Sequence, residues 1–133
     1  MIVGIGTDVV MLSRMQSLYD KWGERIAQRI LGPQEFAVFA ERRSRGVAGV
    51  SRAVSYLAKR FAAKEAVGKA LGCGLSHPMS LQSLEVLNDE SGAPRAYARK
   101  DLARVVEERG LVVHVSLTDE IDYAQAFVIV EKA

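Results

Sequence analysis

The chain has 133 residues, 49% hydrophobic and 26% charged, with a formal net charge of +2. That length predicts one domain, residues 1–133, able to remove about two thirds of its unfolded surface from water. No stretch approaches the run of about 18 apolar residues that spans a membrane, and Met1 to Val10 lacks a signal-peptide pattern. A single cysteine, Cys73, excludes an internal disulfide and a Cys/His zinc set, so a reducing cytoplasm is the expected compartment.

Ile2 to Val10 alternates as a strand, with Val3, Ile5, Thr7 and Val9 on one side and Gly4, Gly6, Asp8 and Val10 on the other. Glycine inside a strand marks close approach by a ligand or another backbone, so room is expected beside the Asp8 carboxylate. The plainer alternative is Asp8 capping the next helix, a role Ser13 could equally fill. Gly4 and Gly6 begin a dinucleotide-binding fingerprint, which fails at its third glycine position, Val9.

Met11 to Leu31 carries Leu12, Met15, Leu18, Trp22, Ile26 and Ile30 at helical spacing, interrupted at Gly23. Its outer face shows Arg14, Lys21, Arg25 and Arg29, diluted by Asp20 and Glu24; this is either a solvated face or a dock for an acidic protein. Gly32 and Pro33 close one helix and open another, Gln34 to Arg42. Ser44 to Ser51, with two glycines, is expected to be a flexible loop.

A longer helix is predicted from Ala53 to Leu71, stopped by Gly72. At about 100° per residue, Val54, Leu57, Phe61, Gly68 and Gly72 share one face, and Glu65 falls among them. A carboxylate there needs a partner: Lys69 one turn on, a metal ion, or a cationic ligand group. Arg42, Arg43, Arg45, Arg52, Lys59, Arg60, Lys64 and Lys69 make the region basic, which suits phosphates unless it is only a solvated face. Gly72, Cys73 and Gly74 either end the helix or let backbone N–H groups approach a phosphate, and His77 beyond them is expected to be exposed.

Leu84 to Leu87 and Arg95 to Ala98 predict a hairpin, Lys100 to Arg109 a helix ended by Gly110, and Leu111 to Leu117 with Tyr123 to Val130 a last pair of strands. His114 and Ser116 point to the same side of their strand and are candidates for a pocket wall.

Asp8 and Glu65 can supply oxygen ligands to Mg²⁺, which keeps waters and takes phosphate oxygens for its remaining positions. Zinc would call for histidines or thiolates. With Arg60, Lys64 and Lys69 beside them, the set suits a diphosphate substrate and phosphoryl transfer. A metal-dependent phosphodiesterase or nuclease shares these needs but gathers more carboxylates. A nucleic-acid-binding module would use the basic segment without magnesium.

Three stretches carry a resemblance: Gly4-Ile5-Gly6-Thr7-Asp8-Val9-Val10 with Arg14, Ala58 to Ala66 continuing to Lys69, Ala70 and Gly72, and His114-Val115-Ser116-Leu117 followed by Tyr123-Ala124. In order and content they resemble the 4′-phosphopantetheinyl transferases, of the short holo-[acyl-carrier-protein] synthase type, over about Met1 to Val130. The resemblance implies an α+β fold with a small antiparallel sheet packed against a long helix. The implied activity moves the phosphopantetheine arm of coenzyme A onto a serine of apo acyl carrier protein, for fatty acid synthesis, releasing adenosine 3′,5′-bisphosphate.

By the same resemblance, Asp8 and Glu65 are magnesium ligands and Lys69 lies by the diphosphate. Arg60, Lys64, Gly72, His114 and Ser116 sit around the coenzyme, while Arg14, Lys21 and Arg25 dock the acidic carrier. The implied assembly is a homotrimer with active sites between neighbours, and neither nucleic acid nor membrane is an implied partner. The general base stays open among Glu65, Glu35 and a metal-bound water. Arg43 to Ser55 departs from the pattern, and Thr118, Asp119 and Glu120 stand where many relatives carry a histidine.

Overall fold

One 25-residue helix organises the molecule. In the computed structural model, which describes residues 1–133, the chain order is β1 (Ile2–Met11), α1 (Leu12–Trp22), α2 (Glu24–Ile30), α3 (Pro33–Arg43) and α4 (Val47–Leu71). There follow β2 (Leu84–Asn88), β3 (Pro94–Ala98), α5 (Lys100–Arg109), β4 (Leu111–Asp119) and β5 (Tyr123–Lys132). The fold is α+β, as expected. A three-stranded antiparallel sheet, ordered β1-β5-β4, packs one face on α4, and β2 pairs with β3 in a separate hairpin. No helix is long and apolar enough to cross a membrane.

Strand alternation sorts the sheet into two faces. Toward α4 stand Gly4, Gly6, Asp8 and Val10 of β1, paired with the buried Val130, Val128, Ala126 and Ala124 of β5. Facing away are Val3, Ile5, Thr7 and Val9, with Phe127 and Ile129 of β5 and His114 and Ser116 of β4. That outer face leaves hydrocarbon in the open, Ile5 being 59% exposed and Phe127 45%.

Of the two uses expected for the β1 glycines, close approach by another backbone is the one found. A Cβ on Gly4 or Gly6 would overlap the carbonyl oxygen of Ala70 or Ala66, so the space beside this strand is filled by the α4 backbone rather than by a ligand. Small residues on α4 complete the contact: Ala58, Ala62, Ala63, Ala66 and Val67 are fully buried. The helix is therefore interior on most of its circumference, a broader buried surface than the single predicted stripe.

Two further expectations are corrected. Ser44 to Ser51 is not a flexible loop, because α4 already begins at Val47. Only Ser44, Arg45 and Gly46 separate it from α3; Gly46, at φ 82°, makes the turn, and Gly49 is buried where a side chain would strike the Arg42 carbonyl. Trp22 leaves the predicted apolar stripe and is 44% exposed. Its helix ends at Gly23, whose φ of 59° lets α2 restart in another direction before Ile26 and Ile30 turn inward.

Candidate active site

Asp8 reaches the α4 side of the sheet near the end of β1, where Glu65 and Lys69 project from successive turns of α4. Asp8 and Glu65 line one cavity of about 310 Å³ together with Arg14, Met15, Leu18 and Phe61. The Lys69 ammonium donates to Asp8 Oδ1 at 3.1 Å and to the Thr7 carbonyl at 2.9 Å. The i,i+4 pair of Glu65 with Lys69 is therefore not the contact formed; the lysine crosses to β1. Glu65 is left without a hydrogen-bonding or ionic partner. Burial raises its pKa first and the Asp8 charge raises it further, against an opposing pull from Lys69.

Two carboxylates repelling one another across a small cavity, one with no protein partner, form a donor set suited to a hard divalent cation that retains water. No cluster of three or more His, Cys, Asp or Glu side chains accompanies them, so a site dense in carboxylates is not assembled. The donor types fit magnesium and do not fit zinc.

Lys64 and Arg60, expected around the coenzyme phosphates, belong to the interior. The Lys64 side chain is 0% exposed and donates to Glu35 Oε1 at 2.6 Å, Ile30 O at 2.7 Å and Leu81 O at 2.8 Å. An ammonium has three protons, and all are committed. Desolvation lowers its pKa, opposed by the attraction of Glu35.

Arg60 donates from Nε to Val86 O at 3.1 Å and from Nη2 to Asn88 Oδ1 at 3.0 Å, with its guanidinium 4.0 Å from the centre of the Tyr56 ring. Burial lowers its pKa too, and raises that of Tyr56 to about 12. Glu35 is likewise sealed, accepting from Lys64, Gly32 N and Val86 N, which removes it from the candidate bases.

Gly72 caps α4 in the left-handed region at φ 79°, its N–H donating back to Lys69 O. That amide is spent on the helix end and is not free for a phosphate. His114 and Ser116 are exposed but lie on the sheet face opposite α4, with His114 Nε2 2.8 Å from Glu131 Oε1. One copy of the chain does not bring them to Asp8 and Glu65.

Of the predicted docking residues, Arg14 borders the Asp8 cavity, while Lys21 and Arg25 flank Trp22 with their cationic groups 5.1 and 5.7 Å from its ring. None of the three has a carboxylate within ion-pair distance.

A second cleft, of about 660 Å³, had no residue among the predicted site positions. Arg42, Arg45, Arg52, Ser55 and Lys59 line it, with Asp119 at its rim accepting from Lys59 and Ser55, each at 3.3 Å. A signal was present, since Arg52, Ser55 and Lys59 at i, i+3 and i+7 share one helix face.

Comparison with known proteins decides the family. The profile of the 4′-phosphopantetheinyl transferase superfamily matches residues 4–126. The chain belongs to that superfamily. It is 49% identical over 131 residues to a holo-[acyl-carrier-protein] synthase from Leptothrix cholodnii, covering 98% of this chain and 97% of the relative. The crystal structure of holo-[acyl-carrier-protein] synthase from Neisseria meningitidis superposes with a TM-score of 0.87 at 41% identity, over 99% of this chain and 100% of that one. A Bacillus anthracis homologue, solved in complex with CoA (3′,5′-ADP), gives a TM-score of 0.81 at 34% identity, over 100% and 99% of the two chains. The superfamily thus accounts for nearly the whole chain.

Proposed function

We propose that the chain, acting as one domain, is a cytoplasmic holo-[acyl-carrier-protein] synthase that transfers 4′-phosphopantetheine from coenzyme A to apo acyl carrier protein for fatty acid synthesis. The observation that carries the reading is the pairing of Asp8 and Glu65 in one cavity with Lys69 on the Asp8 carboxylate, in a chain 49% identical to a synthase of that name. Asp8 and Glu65 would hold magnesium, which supplies charge to offset the coenzyme diphosphate.

In the reaction the carrier serine oxygen bonds to the β-phosphorus and the bridging oxygen leaves on adenosine 3′,5′-bisphosphate. Lys69 is exposed at the cavity edge, where its ammonium can neutralise charge on the departing phosphate. With Glu35 sealed in the core, Glu65 is the side-chain carboxylate left to accept the serine proton. The arginines of the second cleft supply cations for the coenzyme's remaining phosphate, the one on the ribose 3′-oxygen, in place of the buried Arg60 and Lys64.

Arg14, Lys21 and Arg25, free of carboxylate partners, form the docking face for an acidic carrier. Three copies meeting through the apolar outer face of the sheet would carry His114 and Ser116 of one chain to the Asp8 cavity of the next. This assembly gives the exposed strand faces a partner and those two polar residues a role.

The test mixes protein, apo carrier, coenzyme A and Mg²⁺ and follows the carrier by mass spectrometry. A gain of one phosphopantetheine is expected, and Asp8→Asn should slow it at least about a hundredfold with the fold intact by circular dichroism. A carrier of unchanged mass rejects the transferase reading.

A further inference from the structure

Glu65 can face Asp8 only if α4 is turned correctly about its own axis, and neighbouring residues on a helix differ by about 100°, so whatever fixes Lys64 fixes Glu65. Where α4 meets β1 the contact is a close backbone approach over Gly4 and Gly6, to which Lys69 adds hydrogen bonds to the Thr7 carbonyl and Asp8.

On the other side the control is strong. The Lys64 ammonium gathers the last residue of α2 through Ile30 O, α3 through Glu35, and the segment before β2 through Leu81 O. Glu35 extends the same network to Gly32 N at 2.9 Å and Val86 N at 2.7 Å. One turn earlier, Arg60 holds Val86 O and Asn88.

Buried ion pairs of this kind add little stability over well-packed apolar side chains, and their best-attested use is to specify register. We propose that Lys64 and Glu35 are positioning residues: their sealed pair sets the rotation of α4 and so the placement of Glu65 against Asp8. The inference rests on the reading of Asp8 and Glu65 as a divalent-cation site. It assigns the lysine beside Glu65 a task that touches neither coenzyme nor carrier.

The test uses Mn²⁺ as probe, titrated by electron paramagnetic resonance into wild type, Asp8→Asn and the double variant Lys64→Met/Glu35→Leu, with urea unfolding of each. The apolar double variant is expected to stay folded, with a lower urea midpoint because Ile30 O, Leu81 O, Gly32 N and Val86 N lose their partners, while binding Mn²⁺ about 10- to 100-fold more weakly. A purely structural pair would leave affinity untouched, so a folded double variant with wild-type affinity overturns the inference. Should the double variant lose cooperative unfolding, Glu35→Gln, of the same size, takes its place: weakened Mn²⁺ binding supports the proposal and wild-type binding overturns it. Wild-type protein that binds Mn²⁺ no better than Asp8→Asn overturns the metal reading and this inference with it. Normal wild-type binding beside unchanged variant binding overturns the inference alone.

Discussion

On the side of α4 that meets α3 and β2, Lys64 and Arg60 are enclosed, with their hydrogen bonds made to carbonyls and to Glu35. On the side that meets β1, Glu65 has no partner and Lys69 lies over half exposed on Asp8. Both sides come from the same ten residues of α4, 60–69, and each side carries a lysine. The difference shows that a basic helix inside an enzyme can divide its charges between holding the helix and serving the ligand, according to the direction each one points.

The sharpest way to break that contrast is to remove one lysine from each side. Lys64→Met leaves Glu35 buried without a counter-charge and should cost about 3–5 kcal/mol by urea unfolding. Lys69→Met removes an exposed ammonium and should change stability by less than about 1 kcal/mol while slowing transfer. Equal stability losses would show that both lysines are structural.

A smaller effect is expected from Gly6→Ala, which pushes a methyl into the Ala66 carbonyl and forces α4 off the strand. A loss of about 1–3 kcal/mol should accompany weaker catalysis; unchanged thermal unfolding would mean the strand yields without moving the helix.

The smallest effect concerns Glu65 and pH. Its folded pKa lies above the ordinary value, so the stability it contributes is fully present below the ordinary carboxylate range and is lost as pH rises through the folded pKa. Metal-free Glu65→Gln should therefore melt above wild type at neutral pH, with the gap closing as pH falls toward about 4. A gap independent of pH would place its origin in packing rather than charge.

Much of the architecture could be read from the chain. The alternation of Ile2 to Val10, the stops at Gly23, Gly72 and Gly110, and the β2–β3 hairpin all appear where local chemistry puts them, because each depends on residues within a few positions. The start of α4 did not, since Gly46 and Gly49 look alike as letters; only contact with the end of α3 shows that one turns the chain and the other lets two helices close up.

The joint placement of Asp8 and Glu65 was legible because a carboxylate among apolar neighbours demands a partner. The fates of Arg60 and Lys64 were not. Their acceptors are backbone carbonyls and a glutamate 29 positions away from Lys64, and no local pattern distinguishes an arginine aimed at solvent from one aimed at Val86 O. Lys69 as the partner of Glu65, one of the alternatives left open, fails for a related reason: helical spacing accounts for partners on the same helix and is blind to a strand crossing over it.

The outer face of the sheet, with Ile5 and Phe127 uncovered next to His114, bears on how the enzyme would be handled. In the proposed trimer, protein concentration becomes a kinetic variable, because dilution parts the copies and divides each catalytic centre between them. Turnover per mole of chain would then drop in a dilute solution of molecules that are all still folded.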